Sequence, residues 1–257
     1  IQKIYGLIDD NEDNEYSIIS RFEENGDLDK MLELEKENQS PKEWDLTQKY
    51  IVAYGIASGM KYLHDHNIIH GNLHSKIILL NEEFEPIISN FQQSKLIDPD
   101  NPLIQSDPMI TPAFTAPEIL LNDPDTYKYD GKSSDVYSFS MILYLIFTGN
   151  KLYDKKGIFQ IIKELKQNNR PQLPSDFNKS LKYLIESCWE NDPQKRMTFN
   201  KIIEYFNSQE FITNNNHIID FAKLRLYQLK IKTYLLHISD SISAVDIEKL
   251  FSKFNKS

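Results

Sequence analysis

The residues of this chain best suited to chemistry are gathered between positions 64 and 92. His64, His66, His70 and His74 carry imidazoles, the side chain that changes charge near neutral pH, and the last three recur every four residues. On one continuous helix those three rings would share a face, as zinc ligands do. No cysteine or carboxylate set completes such a site, so the spacing is not read as a metal centre. Asn72 and Asn90 follow the same stretch, and their amides can hydrogen-bond a hydroxyl but have no usable basicity near neutral pH. The run His70-Gly71-Asn72-Leu73-His74-Ser75-Lys76-Ile77-Ile78-Leu79-Leu80 is therefore a polar loop leading into an apolar strand, with no carboxylate in it. The single thiol, Cys188, cannot form an internal disulfide. Its place in an apolar helical pattern marks it as a core residue of a protein kept in a reducing compartment.

Positioning such a loop takes a scaffold, and 257 residues suffice for one large domain or two small ones. Ile4 to Ile8 and Tyr16 to Ser20 are rich in β-branched and aromatic residues and predict a hairpin, with the acidic run from Asp9 to Glu15 as its solvated turn. Asn25-Gly26-Asp27 ends that pattern, and Asp27 is placed to cap a short helix carrying Leu28, Met31 and Leu32. Residues 35 to 43 read as a polar loop. From Leu46 to His64, Val52, Ile56, Met60 and Leu63 fall on one helical face, with Gly55 and Gly59 allowing a neighbour to approach closely.

Ile77 to Leu80 and Pro86 to Ile88 predict a second hairpin. Residues 92 to 112 hold four prolines and no periodicity, which predicts a long irregular loop. Val136 to Thr148 is apolar almost all round, as a helix in the middle of a bundle must be. Leu181, Leu184, Ile185, Cys188 and Trp189 define a further helix, and Phe199, Ile202, Ile203 and Phe206 another. Phe221 to Leu236 is long enough for a helix, although Leu224/Leu226 and Leu229/Ile231 also alternate as a strand would. Ser243 to Asp246 resembles a capping box ahead of Ile247, Leu250, Phe251 and Phe254. Two helices are expected here, packed on the main domain. The fold class is thus α+β, two hairpins feeding a mainly helical domain.

A net charge of -9 argues against a general nucleic-acid binder. No apolar stretch is long enough to span a bilayer and no leader precedes Ile1, so a protein of the cytoplasm, off the membrane, is expected. The absence of an initiator Met makes the chain read as a piece of something longer. Eight glycines in the whole chain leave no Gly-rich phosphate loop.

Taken in order, these landmarks resemble the protein-kinase family, most closely its tyrosine-kinase-like group, over about residues 1 to 209. Ile68-Ile69-His70 and Leu73 match the approach to the catalytic loop, and Ser89-Asn90-Phe91-Gln92 stands where Asp-Phe-Gly would. Thr111-Pro112-Ala113-Phe114-Thr115-Ala116-Pro117-Glu118 matches the end of the activation segment, and Ser134 to Phe139 the start of the buried central helix. Cys188-Trp189, Asp192-Pro193 and Arg196-Met197-Thr198-Phe199 match the late signature of the family. The resemblance implies a kinase-like α+β fold, with residues 1–30 a remnant of the small-lobe sheet and hinge, 31–209 the mainly helical large lobe, and 210–257 a helical extension. The Val-Ala-Ile-Lys strand and the helix bearing its Glu partner have no match.

By the same resemblance the reactive positions are altered. Asn72 stands at the catalytic base, Ile77 and Asn90 at the two magnesium anchors, and His74 at a phosphate-contacting Lys, so all three anchor or base positions are vestigial. Ser20, Arg21, Phe22 and Glu23 occupy the rear and hinge of the nucleotide pocket. His70, Phe91, Thr111, Glu118, Asp135 and Arg196 correspond to residues that hold the family's shape, Glu118 with Arg196 as an ion pair and Asp135 tied to the backbone at His70. Gly71 replaces the Arg that receives an activation-loop phosphate, so Ser94, Ser106, Thr111 and Thr115 lack that receiver. The implied function is a catalytically inactive kinase-like scaffold or regulator with protein partners, such as an active kinase or its substrate. No cofactor or metal is expected, beyond weak ATP binding over a degraded magnesium site. The alternatives are weak or unconventional ATP-dependent phosphotransfer and a nucleotide sensor without turnover.

Overall fold

The computed structural model describes residues 1–10, 15–122, 128–215 and 219–239. It opens on an antiparallel hairpin, β1 (Ile4–Asp10) with β2 (Glu15–Ser20), in register from Gly6 opposite Ile19 to Asp10 opposite Glu15, with a shift between Gly6 and Ile4, which faces Ser20. The turn residues 11–14 lie outside the described residues. Ile4, Tyr5, Ile18 and Ile19 are exposed, so this hairpin stands beside the core rather than in it. The Gln2 N–H, donating to the Ile88 carbonyl at 2.8 Å, ties its base to the rest of the domain.

Helix α1 (Leu28–Lys36) starts where Asp27 Oδ1 accepts the Lys30 N–H at 2.9 Å. It takes the first residues of the stretch expected to be a polar loop, and the rest of that stretch is anchored by Trp44. The indole is buried and donates Nε1–H to Glu35 at 3.0 Å. Helix α2 (Leu46–Asp65) is capped by Asp45 and is buried along most of its circumference. Its two glycines are required by close neighbours. A Cβ on Gly55 would lie 2.3 Å from Tyr227 Oη and 2.5 Å from Pro86 Cγ, and one on Gly59 would lie 2.7 Å from Ile88 Cδ1.

Short strands follow: β3 (Ile68–Ile69), then β4 (Ile78–Leu80) paired antiparallel with β5 (Pro86–Ile88) as the second hairpin. The segment from 92 to 112 differs from the loop expected of it. It contains β6 (Lys95–Leu96), paired with β3, and β7 (Leu103–Ile104), paired with β8 (Tyr129–Asp130). Two-residue strands carry no readable periodicity, and main-chain pairing with partners distant in sequence creates them. Between these lies the one-turn helix α3 (Pro117–Leu120).

Helix α4 (Gly131–Thr148) is the centre of the molecule; Val136, Phe139, Met141, Ile142, Leu143 and Ile146 are enclosed. It ends at Gly149, whose φ of 65° supplies the left-handed cap. Helices α5 (Ile158–Lys166), α6 (Lys179–Cys188), α7 (Phe199–Phe206) and α8 (Gln209–Asn215) follow, and α2, α4, α6 and α7 share one apolar core. Each fully enclosed side chain there contributes roughly 1.5–3 kcal/mol. The last described element, α9 (Phe221–Ser239), is a helix and not a strand, because Leu224 and Tyr227 bury one helical face against α2. The capping box at Ser243 and the apolar stripe behind it lie outside the described residues. No helix among those described is long and apolar enough to cross a membrane.

Candidate functional site

The loop from His70 to Leu80 hangs between β3 and β4, and α4 holds it through one buried carboxylate. Asp135 Oδ2 accepts the His70 N–H at 2.8 Å and pairs with His64 Nε2 at 3.0 Å, while Oδ1 accepts the Gly71 N–H at 3.0 Å. Three donors satisfy a charge that would otherwise be costly to bury. His70 is fully enclosed. Its Nε2–H donates to the Ser89 carbonyl at 3.0 Å, which leaves Nδ1 to accept the Asn72 N–H at 3.3 Å. Burial pushes its pKa below the usual imidazole value, so the ring is neutral, and it packs on Phe91 with ring centres 5.3 Å apart.

Each of the positions singled out in the sequence has a definite structural place. Gly71 sits at φ +76°, where a Cβ would come within 2.8 Å of the Gln93 carbonyl oxygen. Asn72 is buried and its Oδ1 accepts the Thr111 hydroxyl at 2.8 Å, while Thr111 and Thr115 bond each other through N–H, carbonyl and hydroxyl. Ile77 is only 4% exposed and belongs to the main apolar core; its carbonyl accepts both the N–H of Ser89 at 3.0 Å and its hydroxyl at 2.7 Å. Asn90 is exposed in the left-handed region, φ 57°, at the head of a 3-10 turn over Phe91–Gln93. His74 is half-buried with its pKa lowered by burial and lies near Phe114, and the next residue, Ser75, donates its hydroxyl to Asp29 at 2.8 Å. His66, His70 and His74 do not share a helix: His66 ends α2, with Nδ1 beside the Tyr62 carbonyl, and the other two lie in the loop. Among the described residues no group of three or more His, Cys, Asp or Glu is placed to hold a metal ion.

Ser20, Arg21, Phe22 and Glu23 run along the outer edge of this loop's far end. Ser20 Oγ accepts from Gln2 Nε2 at 2.8 Å, Arg21 pairs with Glu82, and Asn25 Nδ2 donates to the Asn81 carbonyl at 2.6 Å. Glu23 is buried, whereas Phe22 is 83% exposed. These contacts fasten the strand to the turn between β4 and β5.

On the opposite side, Arg196 grips Glu118 with both fork nitrogens at 2.7 Å, donates Nε–H to the Glu190 carbonyl at 2.8 Å, and lies 5.1 Å from the centre of the Tyr137 ring. The bidentate geometry and burial make this one of the strong pairs. Of the hydroxyls in the long segment, Ser94 donates to the His70 carbonyl at 3.2 Å and Ser106 contacts Lys95. Lys95, whose pKa burial lowers, was not singled out from sequence; nothing in its neighbours signals that a residue eleven positions on will reach it. Ser89 and the Gln93 carbonyl were likewise unmarked.

The family model described as protein tyrosine and serine/threonine kinase matches residues 1–206. The chain belongs to that family. It is 34% identical over 196 residues to the RGS domain-containing serine/threonine-protein kinase A of Dictyostelium discoideum, which covers 76% of this chain and 16% of that protein. It is 30% identical over 216 residues to ephrin type-B receptor 2 of Gallus gallus, covering 80% and 20%. With the serine/threonine-protein kinase CTR1 of Arabidopsis thaliana it shares 29% over 191 residues, covering 73% and 22%. The chain therefore spans less than a quarter of the length of these relatives. Within this kinase domain the loop from His70 to Leu80 carries one amide side chain, Asn72, and a packed hydrocarbon, Ile77, and no carboxylate.

Proposed function

We propose that this kinase domain works through its shape, as a catalytically silent binding module in cytoplasmic signalling whose partners are proteins such as an active kinase or its substrate. The observation that carries the reading is Ile77: its side chain is part of the apolar core, and the family resemblance sets this position at a magnesium anchor. The donor set does not fit that ion. Magnesium requires hard oxygens in near-octahedral array, and here one anchor is hydrocarbon and the other, Asn90, a neutral amide. Asn72 adds support, since an amide cannot take a proton from a substrate hydroxyl, and its oxygen already accepts from Thr111. The contacts that preserve shape, Asp135 with His70 and Gly71, and Arg196 with Glu118, are all made.

The test is a thermal-shift titration of the full-length protein with ATP, with and without magnesium, run beside a phosphoryl-transfer assay. No magnesium-dependent rise in melting temperature and no transfer are expected. Transfer above background would overturn the proposal, and a magnesium-dependent shift without transfer would replace it with a nucleotide sensor.

A further inference from the structure

Helix α9 carries a charge unlike the rest of the chain. Its nineteen residues include Lys223, Arg225, Lys230 and Lys232 and no Asp or Glu, in a protein of net charge -9. One face of the helix is committed to the domain: Leu224, Tyr227 and Gln228 are buried, and Tyr227 meets Tyr54 of α2 edge-on. At about 100° per residue, Leu226 and Leu229 project from the opposite face, and they are 69% and 50% exposed. The four cations divide evenly about this ridge. Lys223 and Lys230, seven residues apart, flank it on one side, and Arg225 and Lys232, also seven apart, flank it on the other. All four are exposed, and among the described residues only Lys230 has a carboxylate partner, Glu85 at 2.7 Å.

We infer that this face of α9 lies on an anionic membrane surface, with Leu226 and Leu229 at the boundary of headgroups and acyl chains and the cations on either side at the lipid phosphates. A narrow apolar ridge between two basic rows is the pattern of a helix lying in the plane of the interface. Shape favours lipid over an acidic protein. The leucines stand out from a helix whose inner side is already docked, so a protein would have to supply a hollow cut to fit them, whereas a bilayer admits a ridge anywhere along its surface. The long stems of Lys and Arg let their charges reach back to the phosphates as the leucines sink.

Neither the net charge nor the lack of a spanning stretch bears against this contact. A helix in the interface spans nothing. At physiological salt, charges more than about 8 Å away are largely screened, so the acidic remainder of the chain turns α9 toward the lipid rather than driving the domain off it. The contact does not depend on whether the loop from His70 to Leu80 transfers phosphate.

The test is cosedimentation of the full-length protein with vesicles of phosphatidylcholine, either alone or with about one-third phosphatidylserine. Each uncompensated cation near such a surface strengthens binding about fivefold, so the three of α9 should make partition onto the anionic vesicles about 100-fold stronger. Raising salt from about 0.1 M to about 0.5 M should remove most of it. Lys223→Gln with Arg225→Gln and Lys232→Gln should cut partition by about tenfold or more, and Leu226→Gln with Leu229→Gln by about fivefold or more. Both sets of side chains are exposed, so thermal unfolding should be unchanged. Lys151→Gln with Lys163→Gln and Lys166→Gln removes equal charge from exposed positions on and before α5, and should leave partition within about twofold. No partition onto anionic vesicles, or equal losses in the α5 and α9 variants, would overturn the inference. So would partition that ignores the two leucines and is matched by binding to polyglutamate, which would assign the face to an acidic protein.

Discussion

Ile77→Asn asks whether position 77 belongs to the apolar core or to the metal-binding amide that the family resemblance implies there. Ile77 is 4% exposed within the main cluster, so removing its hydrocarbon forfeits about 2–3 kcal/mol of burial. An amide left there without partners adds roughly 1–3 kcal/mol. The backbone cannot carry the new side chain outward, because the Ile77 N–H donates to the His74 carbonyl at 3.2 Å and its own carbonyl is held by Ser89 through two hydrogen bonds. The expected loss is about 4 kcal/mol, which in a domain of this size lowers Tm by about 8–16 °C. Ile77→Val calibrates the site, since it removes one methyl and should cost only about 1 kcal/mol. Urea and thermal unfolding of both variants, with an ATP and magnesium titration of each, supply the comparison. An Asn variant no less stable than the Val variant, and newly responsive to magnesium with ATP, would refute the assignment of this position to the core.

Further outcomes concern the same loop and the helix that holds it. Gly71→Ala should cost about 2–3 kcal/mol by chemical denaturation, from the left-handed backbone and the clash with the Gln93 carbonyl together. Gly71→Arg should cost at least as much, from the same backbone and the same contact. Asp135→Asn turns one acceptor oxygen into a donor that faces backbone N–H groups; a loss of about 3 kcal/mol is expected, with hydrogen exchange at His70 and Gly71 quickened before that of α6. His70 and His74 both have folded pKa values pushed down by burial. The unfolded chain therefore binds more protons below about pH 6.5, and stability should be full above that value and fall as pH drops toward 5. Urea midpoints across this window should show a shallower fall in His74→Gln.

The elements that sequence made plain are those whose own periodicity decides them. Helices α2, α4, α6 and α7 repeat apolar residues at helical spacing and are found where expected, and both hairpins follow from short β-branched runs around polar turns. Helix α8 was not foreseen: Gln209 to Asn215 is mostly polar, and it is fixed by Phe211 in the core and by Asn215, which accepts from Tyr50 and Asn178. Helix α5 carries a signal in its sequence, Ile158, Ile161 and Leu165 on one face after Gly157. In the site, residue types could show which groups were altered. They could not show that Thr111 donates to Asn72 across 39 positions, or that Gln93 presses on Gly71, since both contacts depend on where a proline-rich segment folds back.

Those contacts change how the altered residues relate to one another. Asn72 is buried, and Thr111 donates to its side chain; an Asp there could accept the same bond, so the hydrogen bond alone does not require the amide. Charge does. Two residues on stands His74, at a position the family resemblance gives to a Lys, and burial lowers the pKa of its imidazole. A carboxylate at 72 would thus be buried without the fixed cation that a Lys at 74 would supply, whereas the amide needs none. The two replacements are then electrically one change, and a double-mutant cycle can detect it. Asn72→Asp alone should destabilise the domain by about 2 kcal/mol at pH 7 and less at pH 5, where the new carboxyl can protonate. Adding His74→Lys should recover about 1 kcal/mol or more of that loss, although His74→Lys alone gains nothing. Strict additivity of the two substitutions would mean that the charges at 72 and 74 were lost independently, and the account of a loop neutralised as a unit would fail.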